Sequence, residues 1–169
     1  TYDLFIVWHH VAMSTLTPIT QNDRNAAHAG PVFLPWHRFM LRQLELNLQR
    51  VLNDNSFGLP YWDWAADGQL SAAAQKTAAI WKPNAFGGQG SPVPDGPFTQ
   101  AQYVVRLEAD SSGALVQTNH GLRRAFAVNG AATLPKRTNT AAALSQTKYD
   151  KSPWNSGSPS GFRNRLEGW

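Results

Sequence analysis

Residues 23–45 read DRNAAHAGPVFLPWHRFMLRQLE, and this segment decides the fold that we expect for the whole chain. Two histidines, His28 and His37, lie nine residues apart within it. Pro35 suits the first turn of a helix, because its missing N–H would have no helical partner there. The sequence therefore predicts a long helix that begins near Pro35 and carries His37 close to its start.

Apolar residues follow His37 at spacings of three and four, which is the period of one helix face. They are Leu41, Leu44, Leu48 and then Val51 or Leu52. The opposite face carries Arg38, Arg42, Glu45 and Gln49. We therefore expect His37 to point into the core, where a buried imidazole needs a hydrogen-bond partner or a metal ion. Taken alone, the pattern favours an ordinary hydrogen-bonded core histidine.

A second helix is predicted for residues 2–13, which are almost wholly apolar after Asp3. Its isoleucine and valine would also permit a strand, and periodicity does not decide between the two. His9 and His10 are adjacent, so on a helix their side chains diverge by about 100°. Only one of them can face a given metal ion, and their apolar flanks leave the choice open.

The remainder of the chain predicts short elements joined by long loops. The patterns indicate a surface helix over 70–80, a hairpin of 103–107 with 114–116, a helix from near Thr138 through AAALSQ, and a last helix in FRNRLEG. No repeat or linker marks a second domain, and 169 residues suit one. We expect a mainly helical domain with long ordered loops and little strand.

The composition excludes several classes of function. The chain has no cysteine, so a disulfide, a thiolate metal site and a cysteine nucleophile are all excluded. Imidazole-only ligation would suit copper or zinc. The net charge of +4 comes from scattered Lys and Arg, which argues against a nucleic-acid partner. No apolar run suits a membrane span, and no signal-peptide pattern is visible, so secreted and cytoplasmic locations both stay open.

The motif AHAGPVFLPWHR at 27–38, followed by LPYWDW at 59–64, resembles the first copper-binding half of bacterial-type tyrosinases, which are type-3 copper oxidases. The resemblance extends over the whole chain, through TYDLFIVWHH, WKPNAFGGQG, DGPF, LRRAF, KYDKSPWN and SGFRNRLEGW. It implies a helical-bundle core of the type-3 copper fold. It also implies that residues 1–169 are the first-copper half of a single catalytic domain, incomplete without the helices that carry the second copper.

The same resemblance implies a set of copper ligands. His9, His28 and His37 would hold one ion, with His9 rather than His10 as the ligand of the first helix. Phe33 would pack beside the site. His120 lies outside the ligand motifs, and we expect it to be an ordinary surface histidine.

Glu167 is the candidate catalytic residue. The resemblance implies that it helps to hold a water molecule that takes the proton from an incoming phenol, which is general-base catalysis through one water. The residues alone would favour a surface ion pair with Arg163 or Lys151.

The implied function is a copper-dependent oxidase that uses dioxygen to hydroxylate monophenols and to oxidise o-diphenols to o-quinones. It requires two copper ions, one held by this chain and one by three further histidines on a missing segment or a partner polypeptide. The alternatives are an o-aminophenol oxidase on the same site and a non-catalytic, hemocyanin-like oxygen carrier. A mononuclear zinc hydrolase is disfavoured, because no HExxH pair is present.

Overall fold

The computed structural model of the protein describes residues 2–128 and 133–167. Their elements are α1 (Asp3–Met13), α2 (Phe33–Leu52), α3 (Trp64–Asp67), α4 (Ala72–Gln75), β1 (Val104–Ala109), β2 (Leu115–Gly121), α5 (Arg137–Leu144) and α6 (Phe162–Glu167). Two 3-10 turns, Ala79–Trp81 and Gly96–Phe98, lie between α4 and β1. The expectation of a mainly helical chain with long loops and little strand is confirmed.

The chain divides into two compact units. One consists of Thr1–Trp62 with Asn139–Trp169, and the other of Asp63–Thr138. The first unit contains α1, α2, the loop between them and α6. It therefore contains all of the candidate site residues that the sequence predicted. The assignment of residues 1–169 to one catalytic domain stays a prediction.

The two long helices form where the sequence predicts them. Asp3 lies in the first turn of α1, where a negative charge interacts favourably with the helix dipole. Helix α2 begins at Phe33, two residues before the predicted Pro35, which still falls within its first turn. It ends at Leu52, and the capping residue Asn53 that follows has a left-handed φ of 52°, as is common at a helix C-terminus.

The apolar face of α2 is only partly covered by the rest of the unit. No residue of α2 is buried, and His37 itself is only half-buried. Leu41 is 47% exposed and Val51 is 82% exposed. The expectation that His37 points into a buried core is therefore met only in part, because the neighbouring elements of this unit cover this face incompletely.

The helix observed in the region 70–80 is much shorter than the predicted surface helix, so that prediction is wrong in its length. Helix α4 ends after one turn at Gln75, and a separate 3-10 turn follows. The Gln75 side chain is buried and donates to the carbonyls of Gly68 and Leu70, and it accepts from the N–H of Leu134. These tertiary hydrogen bonds favour a compact turn over the alanine-rich helix that local propensity alone predicts.

The hairpin and the last two helices lie close to their predicted positions. Strands β1 and β2 pair antiparallel and are longer than predicted. Their turn is held by Asp110, whose Oδ1 accepts from the backbone N–H of Ser112 and of Ala114. Helix α6 reaches Glu167, and the end of its predicted motif lies outside the described residues. Within the described ranges, no helix combines the length and apolar character that crossing a membrane requires.

Candidate metal centre

Three histidine rings from α1, α2 and the loop between them converge on one point. The Nε2 of His9 lies 3.1 Å from the Nε2 of His28 and 3.3 Å from the Nε2 of His37. Nitrogen atoms that bind one tetrahedral ion at about 2.0 Å lie about 3.3 Å apart, so the spacing fits a single metal ion. Among the residues that the structure describes, no other group of three potential ligands converges in this way.

His37 is held by its own helix. Its Nδ1 lies 2.6 Å from the carbonyl oxygen of Phe33, one turn earlier on α2. Nδ1–H is the donor of this hydrogen bond, which leaves the Nε2 lone pair for a metal. The sequence showed that such a partner was needed, but it did not identify Phe33.

His28 lies on a loop that folds back on itself. The Oδ1 of Asn25 accepts from the N–H of Ala27 and from the N–H of His28, at 3.0 and 2.8 Å. The next residue, Ala29, has a φ of 60°, which is unusual for a residue with a side chain. The loop is therefore shaped by local hydrogen bonds rather than by a helix.

Glu167 reaches this loop from α6. Its Oε1 accepts from the N–H of Ala29 at 2.5 Å and lies 3.3 Å from Nδ1 of His28. Its Oε2 accepts from Nη1 of Arg163 at 2.9 Å. The structure thus places the candidate catalytic residue beside a candidate ligand, and it also contains the alternative ion pair with Arg163.

Arg163 is buried and paired on several sides. It is 2% exposed, and its Nε and Nη2 donate to the two carboxylate oxygens of Asp150 at 3.1 and 3.0 Å. Its Nη2 also donates to the carbonyl of Asn155 at 2.9 Å. The four-residue spacing in FRNRLEG suggested the pair with Glu167, but sequence reasoning missed Asp150. No local spacing links Asp150 to Arg163, although the acidic residue within KYDKSPWN was visible.

The electrostatics favour neutral imidazoles, which is the form that binds a metal. Burial lowers the pKa of His9, and the neighbouring His28 and His37 lower it further. Burial also lowers the pKa of His28, with an added effect of His37 and a partial opposing effect of Glu167. His9 and His28 therefore stay neutral to a lower pH than free histidine does.

Aromatic rings flank the cluster on one side. Phe33 lies beside it as expected, with its ring centroid 4.7 Å from that of His37 and 5.4 Å from that of His28. The ring of Trp36 packs 4.9 Å from His37 and 5.5 Å from His9. These rings shield the histidines on one side and restrict their rotation.

The other two histidines lie outside the cluster. His10 follows His9 on α1 and is not part of the converging group. His120 lies on β2, where its Nε2 is 2.9 Å from a carboxylate oxygen of Glu108 and its Nδ1 is 2.8 Å from the carbonyl of Gly121. The expectation of an ordinary surface histidine is therefore wrong in one respect, because His120 is half-buried and paired.

Three imidazoles converging from two helices and the loop between them define a histidine-only metal centre, of the kind that copper or zinc occupies. The whole chain, residues 1–169, matches the family model described as the common central domain of tyrosinase. The chain therefore belongs to the tyrosinase family, and membership implies copper binding and an oxidoreductase domain.

Individual relatives agree with this assignment. The chain is 37% identical to a tyrosinase of Streptomyces antibioticus, in a match covering 99% of this chain and 56% of that protein. It is 33% identical to grixazone synthase of Streptomyces griseus, covering 99% of this chain and 58% of that protein. It is also 33% identical to 5,6-dihydroxyindole-2-carboxylic acid oxidase of Bos taurus, in a match covering 85% of this chain and 28% of that protein. The chain thus spans little more than half the length of these bacterial relatives.

Proposed function

We propose that this chain is the first-copper half of a dicopper phenol oxidase, and that His9, His28 and His37 hold one copper ion through their Nε2 atoms. The complete enzyme would hydroxylate monophenols and oxidise o-diphenols to o-quinones with dioxygen as co-substrate. The observation that carries the proposal is the convergence of three Nε2 atoms, 3.1 and 3.3 Å apart, in a chain of the tyrosinase family.

The residues of this chain would have distinct tasks. Copper, when bound, supplies the dioxygen-dependent oxidation of the phenol. The aromatic rings of Phe33 and Trp36 keep water away from one side of the ligands and hold the imidazoles in place. We assign Glu167 the role of proton acceptor, through one water molecule, from an incoming phenol. Its half-buried carboxylate beside His28 supports that role by its position.

A second copper would need a second group of converging ligands, and the part of the chain that the structure describes contains only one. The three histidines of the cluster would all bind one copper ion. Among the residues that the structure describes, no other group of three potential ligands converges. The chain spans 56% of the Streptomyces antibioticus tyrosinase. We propose that a further segment with three histidines, on the same polypeptide or on a partner chain, supplies the second copper site.

An apolar groove between α1 and α2 is evidence in favour of this further segment. It has a volume of about 550 Å³ and is lined mainly by apolar side chains, including Leu4, Phe5, Trp8, Phe39, Leu44 and Leu48. Leu4 is 66% exposed, so the groove is open to solvent. Exposed apolar patches of this kind mark surfaces that pack against another segment. We propose that the polypeptide carrying the second copper covers it.

The alternatives concern the substrate. An o-aminophenol oxidase would use the same three ligands, so the site geometry does not separate it from a phenol oxidase. A hemocyanin-like oxygen carrier would bind dioxygen without turnover. Two of the relatives named above are a tyrosinase and an oxidase of a dihydroxyindole acid, and these names favour an enzyme that acts on hydroxylated aromatic rings.

Copper content and catechol turnover together test the proposal. We expect the purified 169-residue chain to bind one copper ion, and to oxidise catechol only with the second polypeptide, which intact mass of co-purifying material would identify. Failure to bind copper would refute the ligand assignment. Turnover by the chain alone would refute the need for a second segment. Reversible dioxygen binding without turnover in the complete protein would favour the carrier.

A further inference from the structure

A buried ionic cluster lies directly behind His28, and the proposed function does not use all of it. The cluster consists of Asp150, Arg163 and Glu167. The side chains of Arg163 and Asp150 are 2% and 3% exposed. Burying charged groups is costly unless each is paired with good geometry. The arginine meets this condition, because it donates to both oxygens of Asp150 and to Glu167.

The three candidate ligands differ in how they are held. His9 and His37 project from helices, and the Nδ1–H of His37 is held by the carbonyl of Phe33 on the same helix. His28 lies on a loop and has no such helical partner. Its Nδ1 instead faces Oε1 of Glu167 at 3.3 Å, and the same oxygen holds the N–H of Ala29. The orientation of His28 therefore depends on a residue of α6.

The charges of the cluster add to a net value of −1, since Asp150 and Glu167 each carry one negative charge and Arg163 one positive charge. Asp150 accepts two of the hydrogen bonds of the guanidinium group. The single positive charge of Arg163 is therefore shared between Asp150 and Glu167 and does not fully neutralise Glu167. Glu167 consequently presents negative charge to His28. An anionic partner at Nδ1 favours the tautomer with the proton on Nδ1 and the lone pair on Nε2.

We propose that Arg163, held in place by Asp150, is a positioning residue that fixes Glu167 against His28 and thereby aims the Nε2 of His28 at the other two ligands. The inference rests on the proposed function, because it assigns Arg163 a role toward the copper site. Arg163 acts through Glu167 and does not itself touch the three converging nitrogens.

Substitutions at the two positions have distinct consequences. Two donors, the N–H of Ala29 and Nη1–H of Arg163, bind the Glu167 carboxylate, and Nδ1 of His28 lies 3.3 Å from its Oε1. In Glu167→Gln, the amide has one acceptor oxygen, so its NH2 group must face at least one of these donors. In Arg163→Lys, the positive charge is kept, but the planar fork that joins Asp150 to Glu167 is lost.

The first readout needs no metal. Long-range ¹H–¹⁵N NMR of the metal-free 169-residue protein reports which nitrogen of His28 carries the proton. We expect Nδ1–H in the unmodified protein and in Arg165→Lys, a matched control on the exposed side of α6. In Arg163→Lys and Glu167→Gln we expect His28 to show a mixture of tautomers or the Nε2–H form.

The second readout is the copper affinity, measured by competitive titration with copper alone. Loss of a residue that orients a ligand typically weakens metal binding by about 10- to 100-fold, and we expect this for Arg163→Lys and Glu167→Gln but not for Arg165→Lys. A folded Arg163→Lys protein that keeps the Nδ1–H tautomer, with an affinity within about twofold of the control, would overturn the proposal.

Two further outcomes are decisive. If Arg163→Lys does not fold, Glu167→Gln takes its place, and an unchanged tautomer with unchanged affinity overturns the proposal. If the unmodified protein binds no copper, the proposed function fails. The tautomer comparison in metal-free protein still tests the positioning role, so the two failures are distinguishable.

Discussion

The Nδ1 of His37 lies 2.6 Å from the carbonyl oxygen of Phe33, so that one turn of α2 contains both a candidate ligand and the group that orients it. The ring orientation of His37 is therefore set within its own helix. His28 is the opposite case, because its Nδ1 faces a carboxylate from α6. The candidate site therefore combines one locally organised ligand with one that depends on long-range contacts.

The ligand assignment predicts which histidines bind copper. His28→Ala or His37→Ala should abolish copper binding by the chain, because each removes one of three converging nitrogens. His10→Ala and His120→Ala are the matched controls and should keep most of it, since neither belongs to the cluster. Copper content after dialysis is the measurement. Normal copper in the His28 variant, or none in the His10 variant, would contradict the assignment.

The lowered pKa values of His9 and His28 predict that the metal-free protein loses stability in acid. Both pKa values lie below the ordinary 6.5, so the unfolded chain binds protons that the folded chain does not. The free energy of unfolding should therefore fall as the pH drops below about 6.5 toward the folded pKa values, and should be fully present above that range.

Urea unfolding of metal-free protein between pH 5 and 8 measures this effect. His9→Gln should reduce the pH dependence, because it removes one of the two groups whose pKa the fold lowers. His120→Gln, at a histidine outside the cluster, serves as the control. An identical pH dependence in the His9→Gln protein and the unmodified protein would show that His9 does not contribute.

Glu167→Gln separates the proton-acceptor role from the positioning role. At limiting copper, both monophenol and diphenol activity of the complete enzyme should fall, because copper binding is weakened. At saturating copper, monophenol activity should stay lower by about a hundredfold or more, since general-base help is typically of that size. A diphenol loses its proton more easily and depends less on a base. Equal residual losses with both substrates would leave Glu167 with the positioning role only.

The groove between α1 and α2 predicts where the second polypeptide docks. Leu4→Glu places a charge in the groove and should weaken association with that polypeptide, while copper binding by the triad stays intact. Val11→Glu is a matched control, because Val11 is 55% exposed on the same helix and does not line the groove. Co-purification and copper content are the measurements. Equal association of both variants would place the partner elsewhere.

Much of the fold could be predicted from the sequence, because the information is local. The three- and four-residue spacing after His37, Pro35 in the first turn and Asp3 near the N-terminus predict α1 and α2 to within two residues. The hairpin follows from strand-like residues around a turn. Local propensity does not predict the structure around Gln75, whose buried side chain accepts from the N–H of Leu134, 59 residues away, a partner that no local spacing reveals.

The sequence by itself determined the candidate histidines and, through its motifs, the family. It could not choose between His9 and His10 from periodicity, and the choice rested on the resemblance. Only the tertiary structure decided that the Nε2 of His9 faces those of His28 and His37, and that Glu167, Arg163 and Asp150 form one cluster behind His28. The physical reason is distance along the chain: Ala29 and Glu167 are 138 residues apart, and no local pattern records which carboxylate will meet which loop.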